Sequence, residues 1–239
     1  MSTKDDVGDA IVTENAGWTF GGKVSDTFDD HVSKSVPLYA TGHELVLSVS
    51  DFFLRDGSLC YDLGCSTGEL THKLARRAGS RNIRFIGVDC EDGMIERAQA
   101  KCEGLGAVEF QEKNFLDYDF EKADLVICYY VMQFVHASHR QALFDRIYES
   151  LNWGGGLLVF EKVRAPDARF QDMMSTIYTD YKLDQGYSPG EIIAKTRSLK
   201  GVLEPFSTVG NLDLMKRSGF VDIMTIMKYV CFEGFLAIK

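Results

Sequence analysis

Apolar residues along the chain recur in two rhythms. Short, dense apolar runs read as strands at 59–63, 83–89, 107–111, 124–130, 156–161, 221–227 and 231–238. Between them the apolar spacing stretches to three and four, which predicts helices over 69–78, 92–102, 138–151 and 209–218, each with one stripe to lay against a sheet. Strands alternating with amphipathic helices predict an α/β protein with a parallel sheet covered on both faces, doubly wound by right-handed crossovers.

Two stretches depart from this alternation. After a polar, aperiodic start, residues 18–39 place Trp18, Phe20, Phe28 and Tyr39 among charged positions and reach Pro37, a helical lead-in broken at the proline. A helix is expected over 42–53. Residues 163–205 insert a helix at 170–181, a Gly186–Gly190 turn and a helix from Glu191 between late strands, where an insertion covers a pocket. The expected organisation is a lead-in and lid segment, 1–41, followed by one domain, 42–239, carrying the helical insertion.

Composition narrows the classes. With 26 basic against 35 acidic side chains the net charge is -9, which repels phosphate backbones unless cations are segregated; no such face is visible, so nucleic acid is not an expected partner. No apolar run approaches the roughly 20 residues of a membrane span, and Lys4, Asp5, Asp6 and Asp9 leave no room for a secretion signal at the start. The six cysteines lack metal-binding spacing and read as reduced thiols, so a cytoplasmic protein without a metal is expected.

Chemistry concentrates where the first strand of the alternating series ends. Asp62 is followed by Gly64, Cys65, Ser66, Thr67 and Gly68, and the next strand ends in Asp89. Gly64 and Gly68 allow a tight turn and close backbone approach, while Asp89 sits where a carboxylate accepts from both hydroxyls of a ribose. Residues 64–68 also satisfy the G-x-S-x-G pattern of a hydrolase nucleophile elbow, but they follow the first strand of the series, whereas an elbow lies deep inside its sheet. A dinucleotide site wants a glycine where Ser66 stands, and Glu69 on the opening turn of the helix opposes phosphate. A cofactor with adenosine and no phosphate fits better, and S-adenosylmethionine is the expected one, its ammonium served by Asp62.

Tyr61 to Gly68 resembles motif I of class I S-adenosylmethionine-dependent methyltransferases, and the chain from Trp18 onward is similar to the carboxy-S-adenosylmethionine synthase family through Trp18-Thr-Phe20, Ser35-Val-Pro37, Met94–Arg97, Gln133-Phe134, Arg140–Leu143, Glu161-Lys162, Gly186–Ser188 and Glu191-Ile192. The resemblance implies a seven-stranded, mostly parallel sheet, a homodimer, and cofactor contacts at Tyr39, Gly64, Cys65, Ser66 and Asp89, with Cys90 beside the adenine and Asn114 and Phe115 after the third strand. It also implies an alternative activity, carboxy-S-adenosylmethionine synthesis with prephenate as carboxyl donor.

Two departures from the family bear on that activity. Tyr129 replaces an asparagine at the tip of the fourth strand, and Thr196 replaces the arginine that grips the carboxylate of the carboxylated cofactor. Losing a bidentate guanidinium leaves such a carboxylate without its strongest partner. The expected function is therefore methyl transfer from ordinary S-adenosylmethionine to a small-molecule acceptor; a non-catalytic cofactor-binding protein is the remaining alternative. Tyr129 and His136 are the candidate catalytic residues, Tyr129 also a cofactor contact, and Tyr181, Tyr187 and Arg197 the candidate substrate contacts.

Overall fold

The computed structural model describes residues 5–8, 11–22 and 24–239. Ahead of the alternating region stand a two-stranded hairpin, β1 (Asp5–Asp6) with β2 (Val12–Thr13), and two helices, α1 (Val24–Ser35) and α2 (Tyr39–Ser50). Pro37 lies in the break between the helices, as expected. The series then runs β3 (Leu59–Leu63), α3 (Glu69–Ala78), β4 (Arg84–Asp89), α4 (Asp92–Lys101), β5 (Val108–Glu112) and β6 (Ala123–Tyr129). After a single 3-10 turn (Met132–Phe134) come α5 (Ala137–Ser150), β7 (Leu151–Lys162), α6 (Ala168–Asp184), α7 (Pro189–Ser198), α8 (Thr208–Ser218), β8 (Asp222–Tyr229) and β9 (Phe232–Ile238).

Seven strands form one sheet in the order β5-β4-β3-β6-β7-β9-β8. All neighbours are parallel except that β9 runs antiparallel to both β7 and β8. The strand order reverses between β3 and β6, which opens a crevice beyond their carboxyl ends. β7 starts at Leu151, well before the expected 156, because Leu151 pairs with Ala123 across a register shift.

Period-two alternation sorts the core. Tyr61, Leu63, Val126, Cys128, Leu157 and Val159 meet Phe144, Ile147 and Leu214 of α5 and α8 on one face. Cys60, Ile127, Leu158 and Phe160 meet Val46, Leu47, Leu70 and Leu74 of α2 and α3 on the other. A third cluster of Val7, Ile11, Trp18, Val24, Met94 and Ala194 fastens the start of the chain to α4 and α7. Backbone bonds seal that seam, from Ala16 N–H to the Arg197 carbonyl (3.1 Å) and from Trp18 N–H to the Ser198 carbonyl (3.3 Å).

Polar residues set the helix ends that matter here. Asp167 caps α6 by accepting from Phe170 N–H at 3.0 Å. Ser188 and Glu191 form a reciprocal capping box on α7, with Pro189 at its first turn.

Candidate active site

A cavity of about 720 Å³ lies between the strand tips and a cover made by α1, α6 and α7, within the range of about 300–1,000 Å³ usual for small-molecule sites. Its floor begins at the glycine turn. Gly64 (φ 70°) and Gly68 (φ 73°) adopt left-handed backbone, as does Ser66 (φ 50°). A Cβ at Gly64 would collide with the side chain of Val131, and one at Gly68 would stand 2.8 Å from Ala98 Cβ. The turn is bonded to β4: Gly64 N–H donates to the Val88 carbonyl at 2.8 Å and Ser66 N–H to Asp89 Oδ2 at 2.9 Å.

Asp89 Oδ1 accepts from Glu91 N–H at 3.1 Å, so each carboxylate oxygen has one backbone donor and keeps acceptor capacity toward the cavity. Asp62 is 3 % exposed and accepts from the Thr71 hydroxyl at 2.6 Å. Burial pushes its carboxyl up to about 6, with the charge of Asp89 adding to the rise. Cys65, Cys90, Asn114 and Phe115 line the cavity, while Gly68 stands behind it as the N-cap of α3. Asn114 Oδ1 accepts from Leu116 N–H at 3.0 Å, which leaves its amide nitrogen as a donor.

The tip of β6 supplies an aromatic wall. Tyr129 donates to the Tyr39 carbonyl at 2.6 Å and packs among Tyr39, His43 and Phe160. Gly42 makes this possible: a Cβ there would stand 3.2 Å from Tyr129 Cζ and closer still to its hydroxyl. Tyr130 also faces the cavity, from a left-handed backbone (φ 59°), and its buried hydroxyl has no hydrogen-bond partner among the described residues. Burial pushes both phenols far above their usual range, so both stay protonated. His43, 1 % exposed, is lowered to about 4 by burial and the nearby Lys73 charge.

The cover is held by charges that the sequence did not single out. Asp29 of α1 accepts from the Thr67 hydroxyl at 2.5 Å and from Lys101 at 2.7 Å, which ties α1 across the glycine turn to α4. Asp26 pairs with Arg97 in the same direction. Glu69, expected to oppose phosphate, is itself held by Lys101 at 2.9 Å and Lys73 at 3.3 Å.

Below the tip of β6, Glu161 is fully buried beside Arg140, with its Oε1 lacking a hydrogen-bond partner among the described residues. Gln133 bridges the Tyr130 carbonyl (3.2 Å) and Lys162 N–H (2.9 Å). Together these bonds fix the loop that presents Tyr130, Val131 and Phe134.

Two expected substrate contacts stand elsewhere. Tyr181 does not line the cavity; it stacks behind Tyr178 at 6.4 Å between ring centroids. Arg197 is exposed and lines a separate surface groove with Asp5, Asp6 and Glu191, since one step along a helix turns a side chain by about 100°. Thr196 lines the cavity together with Glu191, Ile192 and Lys195 of α7, its hydroxyl committed to the Ile192 carbonyl at 2.7 Å. Tyr187 does line the cavity, within 3.3 Å of Ser35 Oγ and His31 Nδ1. His136 stands at the rim, where Nδ1 meets Ser138 Oγ at 2.7 Å and caps α5.

Sheet order, glycine turn and strand-tip acid together define the class I methyltransferase architecture, and residues 61–155 match the family model described as methyltransferase domain. The chain belongs to the carboxy-S-adenosyl-L-methionine synthase family. It is 38% identical over 225 residues to the enzyme of that name from Wolinella succinogenes, covering 92% of both chains. It is 37% identical over 221 residues to that of Campylobacter lari, covering 92% of this chain and 94% of the relative. Among solved structures, an O-methyltransferase family protein from Burkholderia thailandensis matches with a TM-score of 0.65 at 17% identity, over 91% of this chain and 60% of that one. Human N-acetylserotonin methyltransferase in complex with S-adenosylmethionine matches at 0.59 and 20% identity, over 84% of this chain and 52% of that one, so this chain spans about half its length.

Proposed function

We propose that this chain binds S-adenosylmethionine between the glycine turn and the tip of β4 and transfers its methyl group to a small-molecule acceptor. The observation that supports this most is the turn itself: left-handed backbone at Gly64, Ser66 and Gly68, with Ser66 N–H tied to Asp89 and a second buried acid, Asp62, behind them. A Cβ-free Gly64 lets Val131 pack directly on the turn, which holds the floor of the cavity in place. When bound, S-adenosylmethionine supplies a methyl group already activated on a sulfonium.

The protein's part is alignment and exclusion of water, which supply roughly 7–11 kcal/mol of barrier reduction where the reacting atoms are well placed. Asp89 accepts from the ribose hydroxyls and Asp62 answers the ammonium. Tyr129, fixed by Tyr39 and Gly42, offers an aromatic face to the passing positive charge. The phenols orient rather than accept protons, because burial keeps them neutral. His136, at the rim, is the base available to an acceptor that must lose a proton, through Nδ1, the nitrogen that accepts from Ser138 N–H and is therefore the unprotonated one in the neutral ring. The net charge of -9 argues against a nucleic-acid acceptor, and the free cysteines support a cytoplasmic enzyme; a homodimer follows the family resemblance. Among the described residues no helix is long and apolar enough to cross a membrane.

Carboxy-S-adenosylmethionine synthesis from prephenate is a second reading, favoured by the printed names of the relatives at 37–38% identity and opposed by Thr196. Calorimetry with S-adenosylhomocysteine tests the cofactor site, and failure to bind overturns both readings. Mass analysis of the sulfonium product after incubation with prephenate separates them: a carboxylated sulfonium overturns methyl transfer as the main activity.

A further inference from the structure

Outward from β3 the sheet continues through β6 to β7, so at about 4.8 Å per strand the tip of β7 lies about 10 Å from the glycine turn. Lys162 ends β7, and Lys182 descends from α6 to meet it in the cavity. Their ammonium groups lie 4.2 and 4.6 Å from the centroid of the Tyr178 ring, and Lys162 also faces Phe232 at 5.8 Å. Tyr178 is itself fixed, its hydroxyl donating to the Ser35 carbonyl at 2.8 Å.

Lys182 is only 9 % exposed, and among the described residues no carboxylate lies within 4 Å of either ammonium. Burial lowers both, Lys182 to about 8, with the charge of Lys162 adding to the effect. Aromatic faces replace part of the lost hydration, yet two desolvated cations on one ring still lack a counter-charge. The buried Tyr130 hydroxyl, also without a partner, belongs to the same wall, its ring 6.0 Å from Phe232.

We propose that Lys162, Lys182 and the Tyr130 hydroxyl form an anion subsite that receives a carboxylate of the acceptor, on the far side of the tyrosine wall from the adenosine end. This rests on the cavity being the S-adenosylmethionine site. The same ammonium pair would also suit the carboxylate of the cofactor's own amino-acid tail, so the experiment separates the two sources.

Protein saturated with S-adenosylhomocysteine is titrated by calorimetry with benzoate, phenylacetate and succinate, each beside its amide. At least one carboxylate is expected to bind, its amide about tenfold more weakly or worse. Lys162→Met and Lys182→Met should each weaken that carboxylate about ten- to a hundredfold with S-adenosylhomocysteine affinity unchanged, and Lys182→Arg should retain it. If no carboxylate binds the loaded protein, or if the methionine variants keep their circular dichroism but lose S-adenosylhomocysteine to the same degree, the acceptor subsite is overturned. If S-adenosylhomocysteine fails to bind the wild type, the cofactor reading falls instead, and the same carboxylates titrated into unloaded protein still decide the fate of the lysine pair.

Discussion

Asp62 and His43 are both buried near the donor end of the cavity, and burial moves them in opposite directions, up to about 6 and down to about 4. An acid raised on folding contributes stability that is present below its unfolded value and lost as pH rises through about 6. A histidine lowered on folding contributes stability that is present above about 6.5 and lost as pH falls toward about 4. Each amounts to about 3 kcal/mol over its window, and the two slopes oppose.

The unliganded protein should therefore show little pH dependence from this pair between pH 4 and 6. In urea titrations Asp62→Asn should expose a stability that rises with pH, and His43→Gln one that falls; identical slopes in both variants would refute the assignment. For binding the sign is simpler: S-adenosylhomocysteine affinity should drop as pH falls through about 6 and become flat in Asp62→Asn. Asp89→Ala should weaken the same ligand by about 1–3 kcal/mol, and unchanged affinity in calorimetry would remove the ribose role. Asp62 and Asp89 were legible in the sequence because each sits at a fixed offset from a strand and a glycine turn. His43 was not, since its meaning comes from Tyr129 and Lys73, which only the fold brings near.

At the scale of elements, α1 is a strap held at one end of the cavity by Asp26 on Arg97 and Asp29 on Thr67 and Lys101. Exposed ion pairs of this kind contribute about 0–1 kcal/mol each to folding, so their expected effect is on the hold of α1 over the cavity. Asp29→Asn should leave the unfolding midpoint nearly unchanged while accelerating S-adenosylhomocysteine release in stopped-flow experiments, and salt should accelerate release in the wild type but less in the variant.

Where a strong local signal exists, the elements match the sequence closely, as for β3 and α3, bracketed by the turn at Gly64–Gly68. The β1–β2 hairpin gave no such signal, because two-residue strands have no period to read. On α7 the sequence placed Arg197 near the cavity, but the helical phase puts Arg197 outside and brings Lys195 and Thr196 to the cavity. Lys162 and Lys182 are twenty residues apart in sequence and on different elements, so their convergence on Tyr178 is a property of the insertion's packing and left no local trace.

For the molecule as a whole, the cavity is closed by segments from the start of the chain and from the insertion before β8, sewn together at the seam of Ala16 and Trp18 with α7. A ligand that bridges floor and cover should therefore stabilise the entire fold. At a hundredfold excess over its dissociation constant, S-adenosylhomocysteine should add about 2.7 kcal/mol, which for a chain of this size raises Tm by about 5–10 °C. A shift under 1 °C in a thermal scan would mean that the cover is not coupled to the site. The doubly wound sheet was readable in advance from alternation alone, whereas the antiparallel insertion of β9 between β7 and β8 is set by pairing partners that no single strand pattern specifies.

Gly42 and Tyr129 finally tie two distant positions of the gene into one choice. A tyrosine in this rotamer at the tip of β6 fits only while residue 42 lacks a side chain, so neither position can be exchanged freely without regard to the other.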